Sequence, residues 1–374
     1  MAKLQRAAFI RTANWPPANE STYQALRKEF PEVTFDLIEV TPLLKNKYRI
    51  LARNTLSTIR YYGLKILRRK RSFREGFYHT VYVFSAIKKL LHERLSRNKY
   101  DFTFQMQSLF DASQPGTPHF VYTDHTHLAN LYYPDFDQAK LYAQRWIKRE
   151  RSIYHSAAMT FVRSSNIAHS VTEQYGVEAE KVACVYAGSN AVTEKPFNDT
   201  KYISKQILFI GIDWERKGGP ELVAAFRKVL AVHPEAGLTI IGCSPQIDLP
   251  NCRVLGRIPL HEVAAYYEQA AVFCLPTRIE PFGIVFVEAM SHRLPLVAAR
   301  TGAVPDFILD QKTGYLVELD DVDQLASALI DLVGNPQRCR EFGAAAYQLA
   351  QERYSWEKVA RAMRSHIETV LARP

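Results

Sequence analysis

Short runs of consecutive apolar residues alternate along this chain with longer segments whose apolar positions recur every three to four residues. The first kind reads as strands buried on both faces, the second as the helices that cover them, so the pattern predicts parallel sheets built from βαβ units. In the N-terminal half the strand candidates are "AAFIRTA" (7–13), "TFDLIEV" (34–40), "DFTFQMQ" (101–107), "HFVYTD" (119–124), "MTFVRS" (159–164) and "KVACVYAG" (181–188). A polar stretch follows, "NAVTEKPFNDTKYISKQ" (190–206), with Pro196 and no sustained apolar period. The alternation then restarts with "ILFIGI" (207–212), "GLTIIG" (237–242), "CRVLGRI" (252–258), "VFCLPT" (272–277), "PLVAA" (295–299) and "GYLVEL" (314–319). Between these lie the helical patterns "GPELVAAFRKVLAVH" and "LHEVAAYYEQA". The expected architecture is α/β, with two doubly wound, Rossmann-like domains facing across a cleft and a boundary at 190–206. Ligands of such sheets bind at the carboxyl ends of the strands.

Composition sharpens this in three ways. At 374 residues the chain has room for two domains of ordinary size, and 47% hydrophobic with 23% charged residues describes a globular protein. No run of about 18 apolar residues occurs, so no spanning helix is expected. The patch "AAFI" before Arg11 is too short for a signal peptide's apolar region and reads as the first strand. Five cysteines, at 184, 243, 252, 274 and 339, lack metal-ligand spacing and are odd in number. That points to a reduced, cytoplasmic protein in which Cys243 and Cys274 are core residues.

The net charge of +10 is local. Residues 45–99 carry 16 Lys or Arg against the two acids Glu75 and Glu93, a surplus of +14 that leaves the rest mildly acidic. Within it, "YRILARNTLSTIRYYGLKILRRKRSFREGF" mixes apolar residues with a cationic cluster at 68–71. Such a segment (45–74) suits a helix lying on an anionic membrane surface. A solvated helical face is the plain alternative. Nucleic acid is not expected, because no nucleic-acid motif accompanies the cluster.

The chemistry concentrates in "RIEPFGIVFVEAM" (278–290). Pro281-Phe282-Gly283 breaks the chain before an apolar run, so a helix should start near Ile284, with Glu280 in the loop ahead of it and Glu288 just over one turn inside. Two acids beside a helix start can bracket a ligand whose anionic part rests on free N–H groups. "WERKGG" offers Arg216 and Lys217 at a strand-to-helix turn, with Gly218 and Gly219 to let backbone approach closely. "YTDHTHLANLYYP" places Asp124, His125 and His127 after a strand. His-x-His beside an Asp also suggests a metal, but no third or fourth ligand is recognisable nearby. "DFD" (135–137) and "DDVD" (320–323) look like Asp-x-Asp metal motifs, and the second is better read as a helix cap and first turn.

"EPFGIVFVE" resembles the E-x7-E motif of retaining GT-B glycosyltransferases, in particular the nucleotide-sugar-dependent enzymes of family 4. "ILFIGIDWERKGGPELVAAF", "RVLGRIPLHEVAAYY", "GAVPDFILDQKTGYLVELDDVDQLASAL" and "RYSWEKVA" extend the resemblance through the C-terminal half, whereas the first 120 residues match poorly. The resemblance implies an N-terminal acceptor-binding domain (1–195), a donor-binding domain (206–352) and a C-terminal helix crossing back (353–374). It implies retaining, metal-independent transfer of a hexose-type sugar from a UDP- or GDP-type donor to a glycan or lipid-linked acceptor, with no cofactor. The protein would work in the cytoplasm, peripherally on the membrane face. The implied catalytic residues are His125, Asp124, Arg216, Lys217 and Glu280. The implied donor-binding residues are Gly211, Arg257, Ile258, Phe282, Gly283, Ile284 and Glu288. Arg216 and Lys217 would face the leaving diphosphate, Glu280 the sugar hydroxyls and Glu288 the ribose diol, as a carboxylate accepts from two adjacent hydroxyls. Two departures stand out: Ile212 occupies a position where family members usually carry Arg, and "RTANWPPANE" replaces a Gly-rich loop. They favour the alternative of a nucleotide-sugar or glycan binding protein without catalysis. The fold is shared with pyridoxal-phosphate phosphorylases, but no motif for a cofactor lysine is present.

Overall fold

A computed structural model describes residues 4–14, 17–189 and 199–373. The chain clusters into two compact units, Met1–Ala187 with Trp356–Pro374 and Gly188–Ser355. Most of the polar link read at 190–206 lies outside the described residues.

In the first unit, β1 (Arg6–Arg11), β2 (Thr34–Glu39), β3 (Phe102–Met106), β4 (His119–Thr123), β5 (Met159–Val162) and β6 (Val182–Cys184) form one sheet in the order β2-β1-β3-β4-β5-β6. Every pairing is parallel. Strands β3, β4 and β5 are buried at every position, which is why they read as unbroken apolar runs. One face carries Phe9, Phe102, Phe104, Phe120 and Phe161, packed with Met363 and Ile367 of the Trp356–Leu371 helix. That helix lies against helix Ala18–Glu29 and is tied to it by Arg364, which donates to the Glu29 carbonyl and pairs with Glu32, just past the helix, at 2.8 Å.

The second unit repeats the plan: β7 (Gln206–Ile210), β8 (Gly237–Ile241), β9 (Cys252–Gly256), β10 (Val272–Leu275), β11 (Leu296–Ala299) and β12 (Gly314–Val317) run parallel in the order β12-β11-β10-β7-β8-β9. Strand order reverses between β10 and β7, and in the first unit between β1 and β3. At such a reversal the connections leave in opposite directions and open a crevice at the carboxyl ends.

All twelve expected strands are present, most of them shorter at the carboxyl end than read. Strand β10 stops at Leu275 because Pro276 has no N–H for the ladder. Cys274 is buried as expected, whereas Cys243 lies past the end of β8 and is only half-buried.

The basic segment forms helices Tyr48–Leu67, Phe73–Tyr78 and Val81–Leu95. The first is inverted relative to an ordinary core helix. Its buried residues are Asn54, Thr58 and Tyr62, one turn apart. Asn54 donates to the Phe77 carbonyl at 2.7 Å and accepts from Thr80, and the Tyr62 hydroxyl donates to the His79 carbonyl at 2.8 Å. Leu56, Ile59, Leu64 and Leu67 point outward, between 56% and 81% exposed. At 100° per residue these four share one face with Arg60. Among the described residues no helix is long and apolar enough to cross a membrane.

Candidate active site

The carboxyl ends of β7 and β10 meet at the reversal of the second sheet, and the loops leaving them are laced together. Arg278 N–H donates to the Arg216 carbonyl at 2.9 Å, the Arg216 guanidinium to the Ile279 carbonyl at 3.0 Å, and Ala303 N–H to the Glu280 carbonyl at 2.8 Å. The Lys217 ammonium bonds the Glu280 carboxylate, and both residues are buried, 8% and 4% exposed. A buried carboxylate is tolerable only when paired, so this contact fixes the Glu280 loop against the Lys217 turn. Asp213 holds Arg216 from the other side at 3.3 Å.

The glycines act differently from the expectation. Gly218 sits at φ +73°, and a Cβ there would lie 1.9 Å from the Pro276 carbonyl oxygen. At Gly219 a Cβ would strike the Trp214 ring at 2.2 Å. The close approach they permit is to the protein itself: Gly218 lets the two loops touch and Gly219 seats Trp214. Gly211 performs a related task, since its missing side chain clears a path for the Lys217 stem 3.0–3.1 Å away.

Helix Ile284–Ser291 starts where the sequence indicated, with Gly283 as its N-cap at φ +91°. A Cβ on Gly283 would press on Phe286 and Glu280. Phe282 is buried against Phe307 and Tyr354, while Ile284 is 39% exposed beside the free N–H groups of the first turn. Glu288 accepts a hydrogen bond from the Tyr267 hydroxyl at 3.0 Å, and burial pushes its carboxyl above the usual carboxylate range. Tyr267 was not legible as a functional residue, because a Tyr in an amphipathic helix reads as core. Arg257 is exposed and Ile258 half-buried just past β9, and Ile212 is 65% exposed. The second unit therefore gathers Gly211, Arg216, Lys217, Glu280, Phe282, Gly283, Ile284 and Glu288 around one strand-end edge. Arg257 and Ile258 follow the outermost strand of the same sheet.

Asp124 and His125 belong to the first unit, directly after β4. Asp124 pairs with buried Arg163 at 3.4 Å. Burial holds the His125 imidazole below its ordinary range, so it is neutral at pH 7, and its Nδ1 has no partner. His127 has a structural assignment: its Nε2 accepts the Tyr142 N–H at 2.7 Å, and its ring stacks on Tyr142. Among the described residues no group of three or more His, Cys, Asp or Glu is placed to hold a metal. Asp321 caps helix Val322–Gly334 through Gln324 N–H at 2.8 Å, and Asp137 caps the turn at Ala139.

His125 opens onto a cavity of about 690 Å³ within the first unit. Arg71, His79, Tyr142, Trp146 and Glu150 line it, and of these only Arg71, in the cationic cluster at 68–71, was singled out in the sequence. Glu150 is fully buried, and desolvation raises its carboxyl to about 7 against the hydrogen bonds of Tyr175, His127 N–H and Ser108.

Residues 204–335 match the family profile described as "Glycosyl transferases group 1". This segment is similar to that family. A GDP-mannose-dependent alpha-(1-6)-phosphatidylinositol monomannoside mannosyltransferase of Mycolicibacterium smegmatis is 32% identical over 159 residues, 38% of this chain and 42% of that protein. The chain thus spans about two-fifths of that relative's length. Among solved structures, sucrose-phosphate synthase of Thermosynechococcus elongatus superimposes with a TM-score of 0.71 at 17% identity, covering 98% of this chain and 99% of that one. Anabaena HepE in complex with UDP and glucose gives 0.61 at 14% identity, covering 97% and 99%. The fold is GT-B.

Proposed function

We propose that the protein is a retaining, metal-independent glycosyltransferase of family 4 type. It moves a hexose-type sugar from a UDP- or GDP-type donor to a glycan or lipid-linked acceptor, with the second unit taking the donor and the first the acceptor. The observation that carries this reading is the buried Lys217–Glu280 pair at the strand-order reversal. An ammonium held there, with Arg216 beside it and the first turn of helix Ile284–Ser291 nearby, supplies fixed positive charge for a departing diphosphate without a metal. Glu280 reads the sugar hydroxyls and Glu288 the ribose diol. His125, and after it Asp124, is assigned to the donor sugar. The outward apolar face of helix Tyr48–Leu67, with the cations around it, supports peripheral seating on an anionic membrane surface. Exposed Ile212, where the family resemblance implies Arg, is what favours binding without turnover as the second reading.

Release of free nucleotide from UDP-, GDP-, ADP- and dTDP-sugars in EDTA tests the reading. One donor should turn over slowly, and Glu280→Gln should abolish that turnover. Nucleotide binding without turnover of any donor, with polyol and lipid acceptors supplied, would select the second reading. Absence of nucleotide binding would overturn both.

A further inference from the structure

The cavity of the first unit is lined by donors that nothing in the protein uses. Arg71 is 8% exposed, its guanidinium lies 4.1 Å over the Tyr142 ring and bonds the Lys140 carbonyl, yet its Nε has no partner. Trp146 is 2% exposed and its Nε1 is likewise unpaired. An arginine and an indole N–H can only donate. A buried donor without an acceptor costs about 1–3 kcal/mol, so two in one cavity call for a ligand rich in acceptor oxygens.

The mouth has matching charge. Helix Tyr48–Leu67 ends with Lys70 N–H bonded to the Lys65 carbonyl and Arg69 N–H to the Ile66 carbonyl, with Arg69 left-handed at φ 53°. This helix-ending turn usually carries Gly, and here it presents exposed Arg69 and Lys70 at the rim above Arg71. Three acids also line the cavity and are otherwise engaged. Glu75 caps helix Phe73–Tyr78 through Ser72, Asp124 pairs with Arg163, and Glu150 accepts from Ser108 and His127 N–H at 3.1 Å each. The Tyr142 ring is covered by His79, stacked at 3.8 Å, by His127 at 4.1 Å and by the Arg71 guanidinium, and Trp146 lies edge-on to it at 5.0 Å.

We propose that this cavity binds the phosphate ester of a polyol: the phosphate at Arg69, Lys70 and the Arg71 Nε, and a polyol oxygen on Trp146 Nε1. The inference rests on the glycosyltransferase reading only in calling this ester the acceptor. The same chemistry is carried by a phospholipid headgroup and by a free sugar or cyclitol phosphate. The exposed apolar face of helix Tyr48–Leu67 leads to Leu67, 81% exposed, at the cationic rim, which suits delivery from a lipid surface.

The test is calorimetric titration of the full chain with myo-inositol 1-phosphate, myo-inositol and inorganic phosphate. It is accompanied by flotation on phosphatidylcholine vesicles holding phosphatidylinositol or, at equal charge, phosphatidylserine. The ester should bind at least tenfold more tightly than the bare polyol, the factor expected of charge-assisted hydrogen bonds. Arg69→Glu with Lys70→Glu, at exposed positions, and Trp146→Phe, which keeps a ring and removes the N–H, should each weaken it about tenfold, with UDP or GDP binding unchanged. Binding of the free ester identifies a soluble source as sufficient. Preference for phosphatidylinositol vesicles alone, lost in Trp146→Phe, identifies the headgroup. Equal binding of ester and bare polyol would overturn the proposal. So would vesicle binding that follows charge alone and ignores Trp146→Phe. Nucleotide titration of the same sample keeps this outcome separate from failure of the donor-site reading.

Discussion

The strand-end edge of the second unit and the cavity of the first are both polar, yet they treat their polar atoms in opposite ways. In the second unit the charged groups are already satisfied by one another: Lys217 by Glu280, Arg216 by Asp213 and the Ile279 carbonyl, Glu288 by Tyr267. In the first, Arg71 Nε, His125 Nδ1 and Trp146 Nε1 are buried without partners. A paired site is rigid before its ligand arrives, and its ligand must share or displace existing bonds. An unpaired site has donors in reserve, and its ligand relieves a cost the fold carries alone. The two should therefore respond differently to substitution.

The largest effect is expected at Lys217. Lys217→Ala strands a buried carboxylate and should cost about 3–5 kcal/mol in chemical denaturation, together with all donor turnover. Replacing both members, Lys217→Met with Glu280→Leu, should return most of the stability and none of the turnover. Recovery of turnover in that double variant would remove the pair from the chemistry.

The cavity should show itself through pH. The folded-state carboxyl of Glu150 is raised from 4.5 to about 7. As pH rises the unfolded chain loses this proton first, so the group's contribution to stability is complete below about 4.5, is lost between about 4.5 and 7, and is flat above. At about 1.36 kcal/mol per pH unit the loss is about 3 kcal/mol. Buried His79 and His119, lowered to about 4, and His127, lowered to about 3, slope the other way through the same range. The comparison to make is therefore wild type against Glu150→Gln. The difference between them should change by about 3 kcal/mol from pH 4.5 to 7.5, and a constant difference would refute the assignment.

A smaller contrast lies within helix Tyr48–Leu67. Asn54→Ala removes a buried hydrogen-bonded group and should cost about 1–3 kcal/mol. Leu56→Ser with Leu64→Ser, on the exposed face, should change stability by less than about 0.5 kcal/mol. The same pair should weaken flotation with anionic vesicles. Unchanged flotation would leave the apolar face without the membrane role.

This helix also marks where the sequence stops being readable. Periodicity located all twelve strands, because a buried parallel strand declares itself in five or six consecutive residues. It also located the helix start at Ile284 and put Lys217 and Glu280 each in a loop after a strand, since a strand, a turn and a helix N-terminus follow one another in sequence, but not that the two residues pair. An apolar stripe, by contrast, does not say which face a helix buries. Helix Tyr48–Leu67 turns Asn54 and Tyr62 inward because Phe77, His79 and Thr80 offer them hydrogen bonds from a segment some 20 residues away, and Thr58 between them donates to the Asn54 carbonyl. The cavity was hidden for the same reason. Arg71 and His79 flank helix Phe73–Tyr78, whereas Tyr142, Trp146 and Glu150 recur every four residues at helix Gln144–Ser156, and the two segments share no motif. Gly218 and Gly219 were legible as glycines of a tight turn, but their neighbours, the Pro276 carbonyl and the Trp214 ring, emerge only from the fold.

Backbone hydrogen exchange of the full chain, with nucleoside diphosphate and myo-inositol 1-phosphate added separately, tests the central claim that donor and acceptor chemistry are divided between these two regions. The account predicts that UDP or GDP slows exchange in 211–219 and 278–290 and leaves 69–79 and 142–150 unchanged, while the polyol phosphate does the reverse. Protection of 69–79 and 142–150 by the nucleotide, with 211–219 and 278–290 unmoved, would contradict it.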